Sequence, residues 1–288
     1  MSHRNTIYVE EAAILSHQAF PGEQFVMRLH APETAAHAQP GSFIHIQCDL
    51  QRPMRRPISI MRCDTKTGWI DILYKVLGEG TQLLASRQQG ETLSLIGPIG
   101  RPFKPDPHKK RPLLMGGGVG IPPMIFLAEQ LRHQDVQPIV LMGSEVPFPF
   151  KAKPSQIIVP GMPSDAIAAM PLMEDWSIPS RLCSLQGYAG CFEGYITDLA
   201  RVWLDSLDAS QLKQVEIFSC GPHPMLEAVA KLAQEYQIPC QVSLEEFMAC
   251  AVGGCAGCTV MVETPSGPAM KRVCVDGPVF NANDVFPT

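Results

Sequence analysis

Four cysteines near the C-terminus, Cys250, Cys255, Cys258 and Cys274, constrain this chain more than any other feature. They read C-x4-C-x2-C with a fourth thiol further on, a spacing that suits a [2Fe–2S] cluster. One iron takes two thiolates from a tight loop, and the second takes one more from that loop and one from a distant strand. The intervening Ala251-Val252-Gly253-Gly254 and Gly257 are small, so the backbone can bend around inorganic sulfide and donate N–H groups to it. Four thiolates also suit Zn(II). Zinc knuckles more often pair two C-x2-C units, and only one is present here.

The other six of the ten cysteines (Cys48, Cys63, Cys183, Cys191, Cys220 and Cys240) are scattered. Met1-Ser2-His3-Arg4-Asn5 leads into polar, strand-like sequence with no export signal, which argues against a secreted disulfide framework. No stretch approaches the roughly 18 uninterrupted apolar residues of a membrane span. The expectation is a soluble, cytoplasmic protein. A net charge of -5, with Lys109-Lys110-Arg111 as the longest basic run, gives no footprint for nucleic acid. Apolar residues at 45% and charged residues at 18% describe an ordinary globular chain.

Three units are expected. Residues 1–105 carry short strand-like runs at Phe25–Leu29, Phe43–Ile46, Ile58–Met61, Trp69–Val76 and Thr92–Ile96, separated by Pro-Gly and Gly-rich turns, the pattern of a small β barrel. Residues 106–242 alternate strands and helices, which predicts a doubly wound parallel sheet. Its strands are read at Arg111–Met115, Ile139–Met142, Ile157–Val159 and Val215–Ser219, and its helices at Pro122–Arg132, Ile196–Leu207 and Pro224–Tyr236. The Pro-rich stretch between Pro147 and Pro179 blurs the boundaries there. Residues 243–288 are too few for an ordinary apolar core, so a metal staple is expected.

Three further constellations carry chemistry. Arg56-Pro57-Ile58-Ser59 lies on a barrel strand, where the guanidinium can neutralise a pyrophosphate and the hydroxyl and backbone N–H groups can meet a flavin ring. Downstream, Leu73-Tyr74-Lys75 ends a strand and Gly80-Thr81 opens a short helix, a natural phosphate cradle. Tyr74 can equally be barrel packing. Gly116-Gly117-Gly118-Val119-Gly120 then stands between strand and helix, with Pro122 and Pro123 compatible with a helix start. This is not the G-x-G-x-x-G spacing, and a turn without ligand is the alternative. Last, Cys220-Gly221-Pro222-His223 follows a strand at the sheet's C-terminal edge, where Cys220 can pack near a nicotinamide or simply be a buried thiol.

In this order the motifs resemble the ferredoxin–NADP reductase superfamily, and more narrowly the electron-transfer subunits of NAD-dependent dihydroorotate dehydrogenases. The resemblance spans almost the whole chain, including Gly97 to Phe103, Ser243 to Cys250 and Cys274 to Phe280. It implies FAD at the barrel–sheet junction, NAD(P)(H) against the flavin, and a [2Fe–2S] cluster wiring that flavin to a partner subunit. That partner carries FMN and oxidises dihydroorotate in pyrimidine biosynthesis, and the assembly is expected to be a heterotetramer. Phe247 stands where the family usually has a basic residue, and Ala251 replaces a common glycine. Glu145, after the second sheet strand, can hold a ribose hydroxyl or be a solvated turn residue. The NAD(P)H-facing subunit of another redox complex and a zinc-bound interaction module are the competing functions.

Overall fold

The computed structural model describes residues 7–287, so the Met1–Asn5 segment read for an export signal lies outside the described residues. Six strands come first: β1 (Tyr8–Phe20), β2 (Gln24–His30), β3 (Phe43–Ile46), β4 (Arg56–Asp64), β5 (Trp69–Lys75) and β6 (Thr92–Ile99). They close a barrel in the order β1-β2-β5-β4-β3-β6. Helix α1 (Pro32–His37) connects β2 to β3, and α2 (Glu79–Ala85) connects β5 to β6. Period-two alternation builds the interior, because Ile44, Ile46, Ile58, Ile60, Ile70 and Ile72 all join one buried cluster. Strand β1 is the longest of these and has no clear boundary in the sequence. Its Glu10, Glu11, Ser16 and Gln18 break the apolar run, and a register shift between Ile14 and Ser16 interrupts its alternation.

The second unit contains β7 (Arg111–Gly117), α3 (Ile121–Leu131), β8 (Ile139–Gly143), the short ribbon strands β9 (Lys153–Pro154) and β10 (Ala168–Ala169), and α4 (Pro171–Asp175). It continues through β11 (Ser180–Cys183), α5 (Ile196–Asp205), α6 (Ala209–Leu212), β12 (Val215–Cys220), α7 (His223–Glu235) and β13 (Cys240–Ser243). Its main sheet runs β11-β8-β7-β12-β13, all parallel. Leu113, Met115, Ile139 and Leu141 pack with the apolar faces of α5 and α7. Leu114, Val140 and Met142 point to the opposite face and pack with α3. A sheet covered on both faces in this way is doubly wound.

Two strands of this sheet differ from the sequence reading, since β13 was not read as a strand and the expected third strand is displaced. Ile157–Val159 is not a strand; it lies in the Pro-rich insertion, with Ile158 89% exposed and the Ile157 carbonyl accepting from the Arg181 guanidinium. The edge strand is β11, whose Ser and Arg hide a fully buried four-residue run.

The last segment has β14 (Thr259–Val262), β15 (Ala269–Arg272), α8 (Val273–Asp276), β16 (Val279–Asn281) and α9 (Ala282–Val285). It is not free-standing. Strand β16 adds antiparallel to β13 at the edge of the main sheet. The Leu244 N–H donates to the Pro278 carbonyl, and the Arg101 N–H just past the barrel donates to the Gly277 carbonyl at 2.6 Å. These bonds wedge the thiol-bearing segment between barrel and sheet.

Candidate redox site

The register of β3 and β4 sets the barrel side of the site. Phe43 stands opposite Ser59 and His45 opposite Pro57, so the outward side chains of both strands share one face. Arg56 opens β4 opposite Ile46, on the other side-chain parity, and its guanidinium lies against Gly80. A Cβ on that glycine would fall 2.7 Å from Nη2 and 2.8 Å from Cζ of Arg56. The two halves of the expected pyrophosphate cradle, 24 residues apart, are therefore in contact. Thr81 does different work: its hydroxyl accepts from the Leu77 and Gly78 N–H groups and donates to the Gly78 carbonyl, which shapes the start of α2.

Leu73 and Tyr74 turn out to be buried, at 2% and 3% exposure, while Lys75 ends β5 half-buried. The Tyr74 hydroxyl hydrogen-bonds His17 Nε2 at 2.8 Å, and its ring stacks on Phe25. That ring is engaged in barrel packing, one of the two readings its sequence position left open.

The two glycine-containing turns of the sheet meet at the point where strand order reverses, between β7 and β12. A Cβ at Gly120 would sit 2.3 Å from the Cys220 carbonyl oxygen, and Gly117 lies under Met225. Gly116 is packed on Ile121. Gly118 alone of this run combines a positive φ of 53° with open space beside it, and Val119 next to it is half-buried. The turn thus offers one open backbone position at the carboxyl edge of a parallel sheet, where ligands bind in such folds. Cys220 is 7% exposed. Burial, followed by the neighbouring Glu245 charge, pushes its thiol up to about 12 against a hydrogen bond with Ser243. It is a neutral, polarizable group at neutral pH, suited to packing against a ring. Glu145 is exposed just beyond β8.

The C-terminal thiols converge in two pairs. Cys250 meets Cys255, and Cys274 meets Cys258. Two pairs match a binuclear cluster, in which each iron takes two thiolates. The Cys255 N–H points at Cys250 Sγ and the Gly257 N–H at Cys255 Sγ, both at 3.4 Å. Burial opposes ionisation of Cys250, yet the N–H groups of Cys255, Val252 and Gly254 bring its thiol down to about 6. Burial and the Cys258 contact instead push Cys274 up to about 12. Arg272 braces the loop by donating from Nη1 to the Gly253 carbonyl at 2.9 Å.

Comparison with known proteins now bears on this geometry. Residues 7–103 match the oxidoreductase FAD-binding domain, and residues 245–286 match the iron–sulfur cluster binding domain of dihydroorotate dehydrogenase B. The electron transfer subunit of dihydroorotate dehydrogenase B (NAD(+)) from Geobacillus kaustophilus is 34% identical over 253 residues, 86% of each chain. Its counterpart from Caldanaerobacter subterraneus is 30% identical over 276 residues, covering 96% of this chain and 98% of that one. The chain belongs to this family.

Solved structures agree on the fold. A chain from the NADH-dependent reduced ferredoxin–NADP oxidoreductase superposes with a TM-score of 0.77 at 23% identity, covering 96% of this chain and 90% of that one. The ferredoxin reductase of carbazole 1,9a-dioxygenase gives 0.62 at 21% identity, covering 81% and 67%. Like its family, the chain is an oxidoreductase subunit with an FAD-binding domain and an iron–sulfur domain, and NAD as co-substrate fits its fold. Sequence reasoning passed over Ser243 and Glu245 as partners of Cys220, because their contact depends on the pairing of β12 with β13. It also passed over His45, whose signal is only its alternate position on a short strand.

Proposed function

We propose that this chain carries electrons between NAD and an FMN-containing catalytic subunit that oxidises dihydroorotate, in a heterotetramer. The relatives' name, an electron transfer subunit, supports a catalytic partner. The observation that carries the reading is that the segment after the paired thiols is bonded to both other units, through Gly277 to Arg101 just past the barrel and through Pro278 to Leu244 beside the main sheet. We assign residues 1–105, 106–242 and 243–288 to the flavin, nucleotide and cluster units. The ten free thiols fit a reducing compartment and hence the cytoplasm.

The roles follow from the chemistry of the side chains. Arg56 neutralises a pyrophosphate over the Gly80 backbone, Ile58 and Ser59 present strand N–H and hydroxyl groups to a flavin ring, and Pro57 contributes its ring and carbonyl. Gly118 admits a nucleotide phosphate to the backbone at the start of α3. Cys220 packs its neutral thiol beside the nicotinamide, with Ser243 and Glu245 holding its orientation. Cys250 with Cys255, and Cys258 with Cys274, hold one iron each. When bound, FAD exchanges hydride with the nicotinamide and the cluster carries single electrons, while the protein supplies position and exclusion of solvent.

Anaerobically purified chain is expected to show flavin and iron–sulfur absorbance and NADH–dye reductase activity. Dihydroorotate oxidation should appear only on mixing with an FMN-binding partner. Turnover of dihydroorotate by the isolated, reconstituted chain would overturn the division of labour between subunits.

A further inference from the structure

Between the barrel and the cluster loop lies a histidine that none of these roles uses. Strand β3 sends Ile44 and Ile46 into the barrel core and turns Phe43 and His45 outward. Phe43 packs in the same buried cluster as Met248, Ala251, Cys258 and Cys274. His45 is 1% exposed beside it, and neither of its ring nitrogens has a hydrogen-bond partner among the described residues. A buried polar group left in that state is destabilising, so a fold that keeps one needs a reason to do so.

The surroundings supply that reason. Two backbone carbonyls face the imidazole without reaching hydrogen-bonding geometry, those of Met248 and Arg55. Met248 stands two residues before Cys250, at the entry to the cluster loop, and Arg55 immediately precedes Arg56, at the entry to the flavin strand. Arg55 is itself anchored on β6, donating from Nη1 to the Ser94 carbonyl at 2.6 Å and from Nη2 to the Ser94 hydroxyl at 3.0 Å. The barrel side of the gap is therefore anchored by side-chain hydrogen bonds. Burial first, and the Arg55 and Arg56 charges with it, push the His45 imidazole down, while the two carbonyls oppose this. The ring is neutral at physiological pH, with one N–H to give.

We propose that His45 is a positioning residue for electron passage between flavin and cluster: its ring N–H closes on the Met248 carbonyl when the cluster loop is loaded, and this fixes the loop's distance from the flavin strand. The proposal rests on the FAD and cluster assignments above and adds a residue to them. Electron transfer slows steeply as donor and acceptor move apart, so a single bond that sets their separation is enough to matter.

The test uses holoprotein with measured FAD, iron and sulfide content. His45→Phe keeps a buried ring and removes the donor, whereas His45→Gln keeps an N–H of similar reach. With NADH in a stopped-flow instrument, flavin bleaching in H45F should match the parent. Iron–sulfur bleaching should slow several-fold and recover in H45Q. Hydrogen exchange across 245–258 should quicken in H45F and return to the parental rate in H45Q. Parental cluster bleaching and exchange in loaded H45F would overturn the proposal. If H45F does not load, H45Q decides: parental values support the bond, and slowed cluster bleaching overturns it. A parent protein that binds neither FAD nor iron would instead sink the cofactor assignments themselves.

Discussion

The barrel and the thiol-bearing segment sit side by side but are held together in different ways. The barrel closes on itself, leaves no free sheet edge, and fills its interior with aliphatic side chains; Ile44, Ile46, Ile60, Ile70 and Ile72 are all 0% exposed. Each such side chain is worth about 1.5–3 kcal/mol of burial, so a handful of them outweighs any single polar contact in the site. The C-terminal segment has no comparable interior. Its own sheet is the two-stranded β14–β15 ribbon, on which the register partners Met261 and Met270 are 58% and 57% exposed. A ribbon of this kind is marginal alone. Its buried residues, Met248, Ala251 and Val273, belong to a core whose bulk comes from the main sheet and its helices. One unit generates its stability; the other borrows it from neighbours and from whatever its thiols bind.

The sharpest way to break that contrast is at Cys255. This thiol is exposed, so Cys255→Ser removes a sulfur without opening a cavity. Cluster absorbance should disappear, and hydrogen exchange should rise across 245–276, because the staple is gone. FAD content and the exchange of barrel strands should stay as in the parent. Unchanged iron and sulfide in the variant would remove Cys255 from the ligand set, and collapse of the barrel together with the loop would show that the two units are not energetically distinct.

The same contrast governs what could be read from the sequence. The thiols and the glycine-rich turn were legible because their chemistry is carried by local spacing. Strand β11 was not, since Ser180 and Arg181 conceal a buried run, and Ile157–Val159 mimicked a strand inside the Pro-rich insertion. Tyr74 was open to both a flavin contact and barrel packing, and its contacts with His17 and Phe25 exist only once β1, β2 and β5 are paired. The pairing of Arg56 with Gly80 needed two strands and a helix to assemble before it existed at all.

That pairing also separates ligand binding from folding. Gly80 lies inside α2 with no positive φ, so Gly80→Ala should raise helix propensity by roughly 1 kcal/mol while its methyl displaces the Arg56 guanidinium. The expected variant is as stable as the parent or more so, yet binds FAD about tenfold more weakly, a loss of about 1.4 kcal/mol. Flavin titration followed by fluorescence measures it. Equal affinity would mean that Arg56 can hold the pyrophosphate without lying on Gly80.

The smallest effect is expected inside the cluster loop, where two neighbouring positions show opposite demands. Gly253 has φ 86°, and a Cβ there would lie 2.5 Å from Val275 Cγ2, so glycine is required both by the backbone and by space. Ala251 has φ 55°, a left-handed conformation that costs an L-residue roughly 1–2 kcal/mol, yet it is 1% exposed with its methyl packed in the shared core. Ala251→Gly relieves that strain. It also gives up a buried methyl worth about 0.8 kcal/mol and adds about 0.4–1 kcal/mol of unfolded-chain entropy. These terms nearly cancel, so the loaded variant should melt within about 3 °C of the parent. A rise well beyond that would show that the methyl contributes little and the loop is strained at Ala251. A comparable fall would show that the segment draws more of its stability from the shared core than from its thiols.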